Sequence, residues 1–252
     1  TSRLLANYGQ GLNQKGQGIK HSLHSLQLWY TRISLLIKIG EYETARKEAE
    51  PFGQLNNSDM FYDFVEPQSF NSKKGSLPSF SFRLLLAADL LIKIGQHKEA
   101  LQNLISMLSV TRKIKNFFKS LEKAEEMEFW KEREIKVLCS IVSCALHLKN
   151  YDLVQQSFET LLKLPNLKQE FLFEIHSAWG KIFLQCGDIA SAEQKFIAVN
   201  PLSREEIIKA HVNKGLVAVA KNDFSEAHGF FSKAYEMNKR NVMVINNLAV
   251  CY

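Results

Sequence analysis

The stretch that decides the fold is IGEYETA at residues 39–45, because it returns as IGQHKEA at residues 94–100. It returns again, in looser form, as KNYDLV (149–154), CGDIASA (186–192) and KNDFSEA (221–227). A short turn that recurs at intervals of tens of residues indicates a repeat architecture. Each copy has the composition of a turn between two helices, so the chain is predicted to be a series of helix-turn-helix units.

Each copy carries the residue types that such a turn needs. A residue that tolerates positive φ ends the first helix in four copies, namely Gly40, Gly95, Gly187 and Asn222. In the remaining copy Lys149 stands there, and Asn150 beside it is expected to take that role. Two residues after the bend comes a bulky side chain, expected to plug the helix pair: Tyr42, His97, Tyr151, Ile189 or Phe224. Five residues after the bend comes a residue small enough for close helix approach: Ala45, Ala100, Val154, Ala192 or Ala227.

The spacing of the turns indicates which repeat this is. Gly187 and Asn222 are 35 residues apart, and Lys149 and Gly187 are 38 apart. Both steps are near the period of about 34 residues that tetratricopeptide repeats have. Trp29 precedes Gly40 by eleven residues, where the signature Trp of that repeat belongs. The fold class predicted is therefore all-α, a right-handed α-solenoid of tetratricopeptide-type helix pairs.

The two earlier steps, of 55 and 54 residues, are longer and must contain insertions. We place these near residues 56–79 and 109–125. The first is rich in turn formers but also carries apolar and aromatic residues, so it is expected to pack on its own chain rather than on a partner: Met60, Phe61, Tyr62, Phe64 and Phe70. Residues 1–20 are predicted to be a flexible lead-in, and residues 21–252 the solenoid, truncated within a last repeat that begins near Asn241.

Composition excludes several classes of protein. The chain has 32 basic and 26 acidic residues, a net charge of +6, and the two signs are interleaved. A nucleic-acid partner is not expected, because such binders concentrate basic residues in one stripe. The four cysteines form no CxxC pair, so buried reduced thiols are expected rather than disulfides or a zinc site. No apolar run reaches the length that spans a bilayer, and a cytoplasmic location follows as an expectation.

The sequence contains no recognisable catalytic, metal-binding or phosphate-binding motif. The spacing of Gly11 and Gly16 resembles that of a phosphate-binding loop, but Gln17 and Gly18 follow instead of Lys and Ser or Thr. The seven histidines do not gather with other ligands at metal spacing. The sequence predicts no catalytic residue, metal or cofactor, and a protein that is not an enzyme.

Two groups are candidate partner-binding residues. Asn213 and Asn247 are 34 residues apart, at one position of successive first helices, and Lys209 lies one turn before Asn213. An amide donates and accepts hydrogen bonds, so such a ladder can hold a peptide backbone, although Ala178 occupies the preceding rung.

The second group is the basic cluster of Arg112, Lys113 and Lys115, with Lys119, Phe117 and Phe118 beside it. It can meet an acidic protein surface or anionic lipid. The alternative is an ordinary exposed helix face whose two Phe side chains are buried.

Four segments together resemble a known family. They are LQLWYTRISLLIKIGEYETA (26–45), the insertion with DMFYDF and GSLPSF, SFRLLLAADLLIKIG (81–95) and NNLAVCY (246–252). The chain resembles, over essentially its whole length, the tetratricopeptide subunit-twelve family of the transport protein particle (TRAPP) complex. The long N-terminal region of that family is absent here, which suggests a truncated chain.

The resemblance implies a non-catalytic scaffold that joins other large subunits of a TRAPP III-type complex. Such a complex acts as an exchange factor for a Rab-family GTPase in ER-to-Golgi traffic and autophagy. The implied location is cytoplasmic, peripheral to Golgi and ER–Golgi intermediate membranes, with membrane contact only through the complex.

The alternative function is a peptide-binding tetratricopeptide adaptor, for example a chaperone cofactor. That needs Lys and Asn at several groove positions, where the first two repeats offer Tyr30, Ser34 and Leu86.

Overall fold

A computed structural model describes residues 2–8, 21–53, 55, 60–62 and 75–252. They fall into two compact units, residues 1–157 and 158–252. Within the described residues the regular secondary structure is helical, apart from an isolated antiparallel bridge between Phe61 and Ser76.

Besides a 3₁₀ helix at Glu50–Phe52, the first unit contains six helices and the start of a seventh among its described residues. They are α1 (Ser2–Ala6), α2 (Leu23–Lys38), α3 (Tyr42–Ala49), α4, α5 (His97–Ser120), α6 (Ala124–His147) and α7 (Tyr151–Leu162), in which the unit boundary falls. Helix α4 is a composite of Phe80–Leu84, a π-helical segment Leu85–Asp89 and Leu90–Lys93.

The second unit continues with five helices. They are α8 (Gln169–Gln185), α9 (Ile189–Ile197), α10 (Arg204–Ala220), α11 (Phe224–Met237) and α12 (Val242–Val250). Helices that follow one another across a short turn pack together, as α8 does with α9 and α10 with α11. The predicted all-α class of tetratricopeptide-type helix pairs is confirmed.

All five predicted bends have positive φ, which is +85° at Gly40, +82° at Gly95 and +80° at Gly187. Asn222 follows at +62°. In the remaining turn it is Lys149, at +55°, that adopts this conformation, so the expectation that Asn150 would do so is wrong. The side chain of Asn150 caps the next helix instead.

In three of the five turns the residue after the bend caps the next helix, whereas Glu41 and Gln96 in the first two turns make no side-chain capping hydrogen bond. Asn150 Oδ1 accepts a hydrogen bond from Leu153 N at 3.1 Å, and Asp188 Oδ1 accepts one from Ser191 N at 3.0 Å. A short side chain with an oxygen at this position satisfies one of the helix's unpaired N–H groups. The two helices thus impose the positive φ of the bend. A lysine can adopt this conformation at a modest cost in free energy.

The small residues after the bends are fully buried as predicted. Ala45, Ala100, Ala192 and Ala227 each have 0% exposure. The bulky residues two positions after the bends behave less uniformly. Tyr151 and Phe224 are 48% and 43% exposed, so these two do not plug their helix pairs.

The first helices of the second unit approach their partners closely at two glycines. A Cβ built on Gly215 would lie 2.7 Å from Phe231 Cζ, and one on Gly180 would lie 2.8 Å from Phe196 Cζ. These contacts are shorter than packed carbon atoms allow. Glycine is therefore required here for space, since neither residue has an unusual φ.

The predicted lead-in and first insertion both contribute to the core. Within residues 1–20, which were expected to be flexible, residues 2–6 form α1, and Leu5 is buried beside Trp29 in one apolar cluster. Met60 and Leu77, from the predicted insertion, belong to the same cluster. The described part of the insertion thus packs on its own chain. Phe64 and Phe70 lie outside the described residues.

The predicted second insertion, 109–125, lengthens two helices. Helices α5 and α6 each run for 24 residues and form one long hairpin whose turn has a positive φ of +54° at Glu122. Both are longer than the roughly 11–12 residues of an average helix.

Candidate functional site

A groove of about 570 Å³ lies in the first unit, between three first helices of successive pairs. Helix α2 contributes Tyr30 and Ser34, the π-helical segment of α4 contributes Leu85 and Asp89, and α6 contributes His147. A π-helical segment re-aims the side chains it carries and occurs frequently at functional sites. The volume falls within the range of ligand-binding clefts.

The polar groups of the groove are only partly satisfied. Ser34 Oγ is buried and has no hydrogen-bond partner in the described part of the chain. Burial raises the pKa of Asp89, while the charge of Lys93 opposes that rise. Lys38 lies on the same wall as Ser34. The groove thus combines apolar walls with the carboxyl group of Asp89 and the ammonium groups of Lys38 and Lys93.

The groove lacks the arrangement that nucleophilic catalysis needs. Ser143 and His147 both line it and lie one turn apart on α6. No hydrogen bond joins these two side chains in the described structure, as the activation of a serine requires. Sequence analysis placed Tyr30, Ser34 and Leu86 at groove positions; Tyr30 and Ser34 line this groove, whereas Leu86 does not.

The structure places Asn213 inside the second unit. It is 2% exposed, and its Nδ2 donates a hydrogen bond to Ser177 Oγ at 2.9 Å, so α8 and α10 are joined by this pair. Asn213 Oδ1 is buried and has no partner among the described residues. Asn247 is half-buried on α12. Asn213 is thus withdrawn from solvent, and the binding role of the two Asn residues stays a prediction.

Lys209 is engaged by two carboxylates of its own unit. Its Nζ lies 2.7 Å from Glu174 Oε1 and 2.9 Å from Glu205 Oε1. Hydrogen bonds to Glu174 and Glu205 raise the pKa of Lys209. A peptide carboxylate would therefore have to displace two existing partners, and partner binding by Lys209 also stays a prediction.

Two members of the predicted basic cluster also have an internal partner. Arg112 Nε lies 2.7 Å from Glu134 Oε1, and Lys115 Nζ pairs with the other carboxylate oxygen of Glu134. Glu134 is only 2% exposed, so these bonds join α5 to α6. Lys113 is exposed. Phe117 is 58% exposed, so the alternative in which both Phe side chains are buried is wrong for Phe117.

Sequence analysis missed a second group on the same hairpin. The guanidinium carbon of Arg133 lies 4.2 Å from the ring centroids of both Phe129 and Trp130, and 5.0 Å from that of Phe80. Residues three and four apart on a helix are neighbours, so the spacing of Phe129, Trp130 and Arg133 was the available signal. The contact with Phe80, on another helix, had no such signal.

Other kinds of site find no support in the described residues. No group of three or more His, Cys, Asp or Glu side chains is placed to hold a metal ion within that part of the chain. Cys139 and Cys186 are exposed, so the expectation of buried thiols is wrong for these two. None of the helices in the described ranges is both long and apolar enough to cross a membrane.

Comparison with curated proteins gives two relatives over nearly the whole chain. The chain is 32% identical to mouse trafficking protein particle complex subunit 12 over 268 aligned residues, which cover 99% of the chain and 33% of that protein. The human protein of the same name gives 32% identity, with 99% of the chain and 36% of that protein covered. The predicted resemblance is confirmed, and the chain spans about a third of the length of these relatives. No family model matches the chain.

Two of the solved structures that match the chain are tetratricopeptide repeat proteins of low sequence identity. A tetratricopeptide repeat protein from Parabacteroides merdae is 13% identical, with 90% of this chain and 84% of that chain covered and a TM-score of 0.37. A thermophilic tetratricopeptide repeat protein from Thermus thermophilus is 15% identical, with 90% and 98% covered and a TM-score of 0.43.

Proposed function

We propose that this protein is a non-catalytic scaffold subunit of a trafficking protein particle complex. The observation that carries the proposal is the 32% identity, over 99% of the chain, to the mouse and human proteins named as subunit 12 of that complex. Stacked helix pairs present long surfaces without enclosing a reaction site, which suits a subunit that holds other proteins.

The finer proposal concerns the assembly. The protein joins other large subunits of a TRAPP III-type complex that promotes nucleotide exchange on a Rab-family GTPase in ER-to-Golgi traffic and autophagy. Its contact with the GTPase and with membranes is indirect, through those subunits. It works in the cytoplasm, at the surface of Golgi and ER–Golgi intermediate membranes. The exchange chemistry lies in other subunits.

The alternative of a chaperone adaptor is less well supported. A clamp for a peptide carboxylate needs free cationic side chains, but Lys209 already lies within 2.9 Å of both Glu174 and Glu205. Asn213 is buried against Ser177. Micromolar binding of a C-terminal chaperone peptide would nevertheless favour the adaptor over the scaffold.

The test uses the full-length protein that contains this chain, expressed with an affinity tag in its own cells. We expect the other large subunits of the complex to co-purify with it in fixed proportion. We also expect the purified protein alone to leave GDP release from the Rab GTPase unchanged, while the whole complex accelerates it. Absence of the other subunits would refute the assembly role. Acceleration by the isolated protein would refute the non-catalytic role.

A further inference from the structure

The hairpin of α5 and α6 extends past the helix that packs on it. We call the end of the hairpin that carries the turn at Glu122 its upper end. Helix α4 contacts the lower part, where Asn103 Nδ2 donates a hydrogen bond to Ala87 O at 3.3 Å. The contact of α4 that lies nearest the turn of the hairpin is made by its first residue, Phe80, with Arg133. Since α4 begins at Phe80, it covers only the lower part of the groove between α5 and α6.

Large apolar side chains continue along the same side of the hairpin, from the level of Phe80, the first residue of α4, towards the turn at Glu122. Val110 and Phe117 follow Asn103 at seven-residue steps, so they lie on the side of α5 that faces α4. They are 54% and 58% exposed, and Leu121, one turn after Phe117, is 49% exposed. On α6, Phe129 is 53% exposed one turn before Arg133. We call Val110, Phe117, Leu121, Phe129 and Arg133 the arm face.

Arg133 gives the arm face a chemical preference. Three aromatic rings surround its guanidinium group, and burial lowers the pKa of Arg133. Ion pairs and hydrogen bonds to Arg133 are absent in the described part of the chain. A guanidinium carries five N–H donors in one plane, and stacking on rings leaves its edge free for an acceptor in that plane. A carboxylate fits that edge in bidentate geometry.

The charges around the hairpin favour a protein partner over a membrane. Residues 110–135 contain seven basic and six acidic residues, so this end of the hairpin is nearly neutral. Glu134 already pairs with both Arg112 and Lys115. An anionic bilayer attracts clusters of unbalanced Lys and Arg, which this segment lacks. Exposed aromatic side chains around an arginine are instead typical of protein–protein hot spots.

We propose that the arm face binds a helix of another protein subunit, in which an Asp or Glu lies between apolar residues. The lower part of the same groove is already occupied by a helix, α4, so its continuation has the shape that a helix fills. From Val110 to Leu121 the groove runs for roughly 16 Å, which is about three helical turns. The apolar residues of the partner cover Phe117, Leu121 and Phe129, and its carboxylate pairs with Arg133.

This inference rests on the proposed scaffold role, because it takes the partner from the same complex. The test places the photo-cross-linking residue p-benzoylphenylalanine at Phe117 in the full-length protein within its assembled complex. The matched control places it at Ile105, which is 52% exposed on the same helix but about 200° away from Asn103 around its axis. We expect position 117 to cross-link to another subunit, at an apolar segment that contains Asp or Glu, and position 105 to give no such product.

The role of Arg133 is tested with R133Q and R133K in the same complex. Each should weaken binding of the cross-linked subunit by about tenfold or more, the factor that corresponds to loss of one charge-assisted hydrogen bond. Arg133 also contacts Phe80, so thermal unfolding of each variant is measured. Weakened binding at an unchanged melting temperature supports direct pairing, and so does rescue of R133E by an Arg in place of the partner's carboxylate.

The outcomes separate this inference from the proposed function. Complex formation with no intersubunit product at position 117 would overturn the arm face and leave the scaffold role intact. Products confined to this chain, or to phospholipid when liposomes of phosphatidylcholine and phosphatidylserine are present, would also overturn it. Failure of the protein to join the complex would refute the scaffold role itself. Unchanged subunit binding by both R133Q and R133K would remove the carboxylate from the proposal.

Discussion

The close approach of α10 and α11 at Gly215 makes a sharp prediction about stability. A Cβ at this position would lie 2.7 Å from Cζ and 2.8 Å from Cδ1 of Phe231, whose side chain is 1% exposed and has little room to move. Overpacking of this kind costs about 1–3 kcal/mol. Alanine in place of glycine inside a helix recovers about 0.5–1 kcal/mol. G215A should therefore destabilise the protein by up to about 2.5 kcal/mol.

The same hairpin supplies the matched control. Gly229 lies inside α11, is exposed, and has no atom within 4 Å of the place where a Cβ would stand. G229A gains the helical preference of alanine without any steric cost and should stabilise by about 0.5–1 kcal/mol. The difference between the two variants, about 1–3 kcal/mol, then measures the steric cost alone.

The assay is urea unfolding followed by circular dichroism at 222 nm, with wild type and both variants in parallel. Stacked repeats can unfold in parts. Urea midpoints are therefore compared only between proteins whose free energy of unfolding has the same dependence on urea concentration. A second arm combines G215A with F231L, which removes the opposing ring edge and should show a favourable coupling of about 1 kcal/mol or more. If G215A raises the midpoint as much as G229A does, the two helices do not approach as the structure shows.

Two further predictions concern polar groups. The carboxylate of Glu48, 1% exposed, pairs with Arg32 through two contacts of 2.5 Å, so E48Q should lower the free energy of unfolding by about 1–3 kcal/mol. E43Q, at a 72% exposed side chain, should change it by less than about 0.5 kcal/mol, and equal urea midpoints for both would contradict this reasoning. Burial lowers the pKa of His176 and of His211 below the ordinary 6.5. The unfolded chain therefore binds more protons below about pH 6.5, so stability should fall there as the pH falls. Replacing both His residues with Gln should flatten the fall in melting temperature between about pH 7.5 and pH 5, and an equally steep fall would exclude these two groups as its cause.

Much of the fold followed from local signals in the sequence. A bend residue and a small residue five positions later are chemical requirements of one tight turn, so Gly40 with Ala45 and Gly95 with Ala100 identified their helix pairs. The turn requires a positive φ at the bend more strictly than it requires a particular residue type there. Lys149 therefore adopts positive φ without being a residue that favours it.

The candidate site was less predictable, because its residues are paired by tertiary structure. Asn213 was proposed as a groove residue from its repeat position, but Ser177, 36 residues away, takes its amide into the interior. Arg112 and Lys115 formed a basic cluster in sequence, and both pair with Glu134 on the next helix. The type of a residue gives its charge and its hydrogen-bonding capacity. Which partner it pairs with depends on which helices pack together.

The sequence by itself determined that this chain is a series of helix pairs similar to a trafficking-complex subunit. Periodicity, turn chemistry and family resemblance all act over short stretches and do not depend on the packing of distant parts. Only the tertiary structure decided which polar and apolar side chains remain available to a partner. Among the residues that the structure describes, Phe117 is exposed and Arg133 has no ion pair, because α4 begins at Phe80 and does not reach the end of the hairpin. How far one helix covers another is a property of the assembled chain, so no local pattern encodes it.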